Sequence, residues 1–383
     1  MAFYLAFKEV WRNRGRFFLF SLVIALITVL VLFIAGLGEG LATANKEFLE
    51  KIDADLLILQ NDVELSTTAS RIGNSKLNDI QRVDGISEVG PIGLSSTTLE
   101  FPVLEDALDM SLIGVDTGMP GMPAVIEGRT LRTERGYEAI IDEDIAREAG
   151  VGVGDKITIK SIQGTEDKFF DLTIVGITTG QQYFFLPSIF VPNLTWDRIR
   201  PQASPGIETE LAYNMVAVRT DGQYTIDQMI PIIESQVEDV EAATQKTVYE
   251  SGPGYAQQQS TVNTQKAFTL LIGVLVIGGF FQIQTLQKIP QIGMLKAIGA
   301  SNPVIATASI LQIIIVTLFG VLLGSLVVFG LSLGLPPSVP ITFSGPAIVT
   351  ALVALILIGP VGGMVSVRLA LKVEPLTALG LGS

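Results

Sequence analysis

The chain has 383 residues, 48% of them hydrophobic, a net charge of −13, and neither cysteine nor histidine. A disulfide scaffold is thereby excluded, and the commonest metal ligand and usual general base at neutral pH are missing. The acidity is confined to residues 39–266, which carry 17 basic and 36 acidic side chains against 8 and 2 in the flanks; such a surface repels nucleic acid, whose phosphates are bound by Lys and Arg.

Residues 1–16 place Phe3, Tyr4, Phe7, Val10 and Trp11 at helical spacing, with Lys8, Arg12 and Arg14 between them. That pattern predicts a cytoplasmic amphipathic helix in the membrane interface, aromatic rings at headgroup depth and basic groups on anionic lipid. Residues 17–38 are uncharged and apolar, long enough for the roughly 20 residues that a bilayer span needs. The run exceeds the roughly 7–15 residues of a signal peptide's apolar region, so Ala42-Thr43-Ala44 is read as part of an uncleaved helix.

The region 39–266 predicts an extracytoplasmic α+β domain on a stalk. Glu39 to Leu49 continues the first helix, Ala54 to Leu59 reads as a strand, and Ser75 to Val83 as a short helix capped by Ser75, with strand pattern resuming at Val89. Strands are expected at Met110–Val115, Ala139–Ile141, Lys156–Ile162 and Phe170–Ile177, with a helix over Asp142–Ala149. Residues 181–210, rich in Pro and Phe, show no period and read as irregular or strand-edge structure. Ala212–Arg219 then reads as a strand and Ile226–Val237 as a helix that closes the domain. Glu250 to Gln265 leads helically into a second span.

Three further spans are predicted at 267–287, 304–335 and 346–367, joined by a loop at 288–303 and a short uncharged one at 336–345, and followed by a tail at 368–383. The fold class is thus a membrane protein with four transmembrane α-helices (1 + 3) and a large α+β extracytoplasmic domain between the first and second. Basic residues collect before the first span, at Lys288 and Lys296, and at Arg368 and Lys372, which places these segments and both termini in the cytoplasm.

Few residues suggest chemistry. Gly150-Val-Gly-Val-Gly-Asp-Lys imitates a phosphate loop, but Asp155 separates Gly154 from Lys156, and a β-turn explains it better. Asp142-Glu143-Asp144 opens a short helix, where capping and the helix dipole favour acids; a solvated helix start is expected there. No catalytic residue, cofactor site or metal site is assigned. The spans hold no ionisable group, which argues against coupled ion transport. Gln282, Gln284 and Gln312 read as interhelical hydrogen-bonding groups. Gly320 and Gly324 have the small-xxx-small spacing that lets helices approach closely, and suggest a dimer contact.

The loop at 288–303 is more telling. Gln291-Ile292-Gly293-Met294-Leu295-Lys296-Ala297-Ile298-Gly299-Ala300-Ser301 is apolar and helical, with Ile292, Leu295 and Ile298 on one side and Gly299 as its C-terminal stop. An apolar helix in the cytoplasm needs a partner groove. The stretch resembles the coupling helix of MacB/FtsX-type (type VII) ABC transporter permeases, whose pattern runs approximately Glu-Ile-Gly-Ile-Leu-Arg-Ala-Ile-Gly-Ala-Ser. Gln291 stands for the acid, Met294 for an aliphatic residue and Lys296 for the arginine. The tail from Arg368 to Leu379 resembles the family's Arg-Leu…Pro…Ala-Leu ending.

The resemblance implies a permease subunit that pairs with a second copy or paralogue and binds a cytoplasmic ABC ATPase dimer through Gln291, Ile292, Gly293, Met294, Leu295, Lys296, Ala297, Ile298, Gly299 and Ala300. ATP and magnesium would bind in that partner alone, and stalks near 39–50 and 255–266 would transmit ATP-driven motion outward. The expected function is export or extraction of a lipid, lipoprotein, peptide or drug-like substrate, with an extracytoplasmic adaptor as a further partner alongside membrane lipid. Two alternatives stand beside it: a transmembrane regulator of a cell-wall hydrolase or sensor kinase, and a membrane-anchored binding module without ATPase.

Overall fold

The computed structural model describes residues 8, 11–100, 107–203, 210–252, 254–334, 341–343 and 345–372. Phe3, Tyr4, Phe7 and Val10, which carry the pattern of the expected interfacial helix, lie outside these, as do the tail beyond 372 and most of the 336–345 loop. The chain divides into two units, residues 1–41 with 258–383, and residues 42–257.

In the first unit, four helices among the described residues are long and apolar enough to cross a membrane: Arg14–Ala44, Tyr255–Gln287, Asn302–Ser332 and Ile348–Lys372. The first helix runs unbroken to Lys51, and the last begins at Gly345. Along the first, Phe17, Ile24 and Val31 recur every seven residues and are buried, whereas Phe18, Leu22, Leu26 and Leu30 stand exposed, an inner stripe and a lipid-facing one. Between the second and fourth helices glycine meets glycine: a Cβ on Gly278 would lie 2.8 Å from the Gly362 carbonyl oxygen, and one on Gly362 2.7 Å from that of Val274. With lipid tails as apolar as the helices, association rests on this close packing and on hydrogen bonds, such as that from the buried Ser366 hydroxyl to the Phe281 carbonyl (2.6 Å).

Among the described residues the second unit has twelve strands: β1 (Leu56–Gln60), β2 (Ile72–Gly73), β3 (Ile86–Glu100), β4 (Leu108–Val115), β5 (Glu127–Gly128), β6 (Glu138–Asp142), β7 (Lys156–Gln163), β8 (Glu166–Thr178), β9 (Ser188–Pro192), β10 (Ala212–Tyr213), β11 (Met215–Thr220) and β12 (Val240–Ala243). The main sheet runs β12-β1-β11-β3-β4-β9-β6-β8-β5, with β7 against β3 and β8, and β10 pairs with β2 apart from it. Alternation on β1 shows how the sheet is covered. Leu56 and Ile58 enter one core with Ile80, Met229 and Ile233 from the helices Asn74–Gln81 and Ile226–Gln236. Leu57 and Leu59 enter another with Phe48, Leu49 and Ile52 from the end of the first helix.

That helix end is gripped. Phe48 is 1% exposed and its ring meets those of Tyr183 and Phe190 at 5.7 and 5.8 Å. Its amide donates to the Gln182 carbonyl (3.2 Å), the Phe185 amide donates to Ala44 (3.3 Å), and Lys51 donates to Thr179 (3.0 Å). Full burial of one phenyl ring contributes about 1.5–3 kcal/mol, and the hydrogen bonds fix its direction.

Four local expectations are corrected. Ser75 is not the cap of its helix: Gly73 holds that position without a side-chain bond, and the exposed Ser75 amide is met by Glu210 (2.9 Å) from far along the chain. Within 181–210 lies β9, fully buried and paired in parallel with β4 from Ser111–Ser188 to Val115–Pro192, followed by the helix Asn193–Ile199; a central strand buried on both faces has no polar alternation to reveal it. The domain does not close at Val237, because β12 and the helix Gln245–Ser251 follow. Asp142 is not solvated: it caps the helix Glu143–Ala149 while fully buried, accepting from the Asp144 amide (2.9 Å) and the Gln181 amide (2.7 Å). Burial pushes its carboxyl up to about 6, against the partial relief of those two amides. The Gly150–Lys156 segment is a turn, Gly150 and Gly154 taking positive φ and Asp155 donating its amide to the Gly152 carbonyl (3.1 Å).

Candidate functional site

Between the second and third spans, Ile289–Ala297 forms a separate helix with Pro290 in its first turn, where a missing N–H costs nothing. Its stop follows from Gly299 at φ +95°. The Gly299 amide donates to Lys296 (3.0 Å) and the Ala300 amide to Leu295 (2.9 Å), a Schellman motif that only a residue at ease with positive φ completes without strain. Asn302 begins the next span, two residues before the boundary read from the sequence, with Ser301 in the cap position.

The sequence grouped Ile292, Leu295 and Ile298 on one side. The structure separates them. Ile292 is buried with Ile305 and Ala370, with Ala300 packed beside it, and Gly293 is buried too. Leu295 is half-buried. Met294 is 58% and Ile298 78% exposed, and Gln291, Ala297 and Gly299 are exposed with them. Ile298 escapes the inner side because it is the C-cap, at φ −88° and ψ 12°, where the helical progression ends. The outward stripe is therefore Gln291, Met294 and Ala297–Ile298, at the three-residue spacing of one helix face.

Lys296, read as the counterpart of a contact arginine, turns back: its ammonium donates to the Leu371 carbonyl (2.7 Å) in the last turn of the final helix, where carbonyls lack helical partners and favour a cation. Lys288 lies 5.6 Å from the centroid of the Phe17 ring and donates to the Gln312 side chain (3.3 Å), and Arg16 hydrogen-bonds the Gln287 side chain. Sequence reasoning missed Phe17 and Arg16 as partners of this loop; helical phase alone does not say which spans are neighbours.

Gly320 and Gly324 face the chain's own first span. A Cβ on Gly320 would lie 2.6 Å from Ile24 Cβ, and one on Gly324 2.6 Å from the Ala25 carbonyl oxygen, distances that van der Waals radii forbid. The small-xxx-small spacing thus serves packing within the chain. Gln312 does bond between helices, through Lys288, while Gln282 is exposed. Among the described residues no group of three or more acidic side chains is placed to hold a metal ion.

Two family models match: the MacB-like periplasmic core domain over residues 17–236 and the FtsX-like permease C-terminal region over residues 267–375. A Staphylococcus haemolyticus protein named as a hemin transport system permease, HrtB, is 26% identical, covering 98% of this chain and 99% of its own length. An uncharacterized ABC transporter permease of Mycobacterium bovis is 21% identical over 98% of this chain and 99% of its own. Among solved structures, the periplasmic region of MacB from Actinobacillus actinomycetemcomitans aligns with 53% of this chain and 94% of that one at 14% identity and a TM-score of 0.38. The first family model alone covers more than half of the chain, and with the second it establishes that this protein belongs to the MacB/FtsX-type ABC transporter permeases.

Proposed function

We propose that this permease docks a cytoplasmic ABC ATPase dimer on the outward stripe Gln291, Met294, Ala297 and Ile298, and that it works as a pair with a second copy or paralogue. ATP and magnesium bind in the ATPase. The loop and both termini lie in the cytoplasm, as their basic residues require. One observation carries the reading: an isolated helix, stopped by a Schellman motif and backed by buried Ile292, leaves Met294 and Ile298 bare, and bare apolar side chains at a helix end are covered by a partner groove.

The transported class is an amphipathic molecule handled by mechanical motion of the outer domain, with an extracytoplasmic adaptor as the expected third component. No ionisable side chain lies between residues 17 and 38 or between 305 and 367, so those stretches offer no charged path through which a polar solute would move. The relatives named for hemin transport put hemin first among substrates to test. Without His or Cys in the chain, its iron would find only Met or Tyr among the usual axial ligands.

The reading is tested by solubilising the native membrane, capturing the chain and identifying what accompanies it. An ABC ATPase is expected with the wild type. Ile298→Asp, which puts a charge into the covered face, is expected to weaken association by about 2 kcal/mol or more, roughly thirtyfold. Equal recovery from Ile298→Asp would overturn the assignment of this face.

A further inference from the structure

Within the outer unit, the segment before β6 and the helix Asn193–Ile199 enclose a pocket of about 390 Å³, inside the roughly 300–1,000 Å³ range of small-molecule sites. Its walls follow from the two faces of that helix. Trp196 and Ile199 are buried in the core, which leaves Leu194 and Arg198, four residues apart, to line the pocket. The Thr195 hydroxyl donates to the Gly136 carbonyl (3.0 Å) and the Thr173 amide to the Tyr137 carbonyl (2.9 Å), so the segment that carries Arg135 and Tyr137 is fastened to the helix on one side and to β8 on the other.

The lining gathers donors that the fold leaves open. Arg198 gives one N–H, from Nη1, to the Tyr137 hydroxyl oxygen (3.0 Å); its Nε and Nη2 have no partner among the described residues, nor has the Arg135 guanidinium. The Tyr137 oxygen accepts that bond and keeps its own proton to donate. One acid, Asp197, is part of the lining, and its carboxylate already receives the Arg200 Nε (2.8 Å); Gln202 donates to the Asp197 carbonyl (2.7 Å). Glu134 lies outside the lining. In a region with 36 acidic and 17 basic side chains, two guanidinia that converge on one pocket mark a place where an anion is attracted rather than repelled. Apolar surface adjoins them, since Leu194 is 37% and Tyr137 43% exposed.

We propose that this pocket binds the oxyanion head of an amphipathic molecule, a carboxylate or a phosphate ester, between Arg135 and Arg198, with the apolar body against Leu194 and the Tyr137 ring. A guanidinium matches either head with two parallel N–H···O bonds, and the phenol adds a further donor. Both walls are fixed before the ligand arrives, which lowers the ordering cost of binding. The inference deepens the proposed amphipathic cargo by giving its charged end a place; it rests on that reading for the class of ligand and on nothing that concerns the ATPase.

The test uses the full chain in phosphatidylcholine nanodiscs, with naphthoate, naphthyl phosphate and the uncharged naphthalenemethanol as probes, and reads binding by equilibrium dialysis against empty nanodiscs at neutral pH. The wild type is expected to bind an anionic probe saturably and the alcohol about tenfold more weakly, the ratio that one charge-assisted hydrogen bond supports; the tighter of the two anions identifies the head. Arg135→Gln and Arg198→Gln are each expected to weaken that binding about tenfold. Arg198→Lys, which keeps the charge and loses the fork, is expected to weaken it by less, and Arg82→Gln, outside the lining, to leave it unchanged. Arg135 makes no bond that the fold uses, so Arg135→Gln decides the matter if an Arg198 variant does not accumulate folded. Absence of saturable anion binding, or equal affinity in wild type, Arg135→Gln and Arg198→Gln, overturns the site. Recovery of an ABC ATPase depends on none of these outcomes, so the two proposals fail separately.

Discussion

Asp142 is the residue where local and long-range demands meet. It caps one short helix and also holds the Gln181 amide, at the start of the segment whose Gln182 carbonyl receives the Phe48 amide. Burial raises its carboxyl from 3.8 to about 6, so the native state binds a proton that the unfolded chain has already lost. The sign follows: between those two pH values the folded state holds more protons, stability falls as pH rises, and this group's loss totals roughly 3 kcal/mol by pH 6 and above. Unfolding followed by the fluorescence of buried Trp196, in a Trp11→Phe background, is expected to show that slope in the wild type and to lack it in Asp142→Asn. Parallel pH profiles for the two would refute the attribution. Lys296 offers a second check at this scale. Lys296→Ala removes a bond to the Leu371 carbonyl, and is expected to lower the melting temperature of the membrane unit more than it lowers ATPase recovery.

At the scale of elements, the glycine pair and the loop helix make opposite points about pattern. Gly320-Val-Leu-Leu-Gly324 has the spacing of a dimer motif, but spacing records only that something approaches closely. The approach is by Ile24 and the Ala25 carbonyl of the same chain. Gly324→Leu is expected to destabilise the unassociated chain by about 1–3 kcal/mol through overpacking, seen as a lower melting temperature in detergent where the chain runs as a monomer; an unchanged melting temperature with a lost dimer would restore the first reading. The loop helix was legible as an element, because Gly299 and the apolar run announce its end and its character. Its orientation was not, because Ile292 and Leu295 are indistinguishable in sequence from Met294 and Ile298 until Ile305 and Ala370 are known to cover Ile292. In the outer domain the alternating and punctuated strands such as β7 and β8 were readable from their period. Strand β9, the cap from Glu210 and β12 were hidden, because each depends on a partner distant in the chain.

At the scale of the molecule, the first of four uncharged spans is one helix with the segment that enters the outer unit's core. The first helix ends with Phe48 sealed against Tyr183 and Phe190, so that helix end is part of the core around it. Phe48→Ala is expected to cost the outer unit about 3–5 kcal/mol by leaving a cavity, measurable as loss of slow hydrogen exchange on β1. Since the chain has no cysteine, a single introduced thiol reports one place. The most direct measurement of the central claim is cross-linking in native membranes from Ile298→Cys and, separately, Leu295→Cys, with a bifunctional thiol-to-amine reagent. The expected result is an adduct with an ABC ATPase from position 298 and far less from position 295, with position 298 shielded from a membrane-impermeant thiol reagent added outside the cell. An adduct from position 295 but none from 298, or labelling of position 298 from outside, would contradict the docking face or the cytoplasmic placement of its helix.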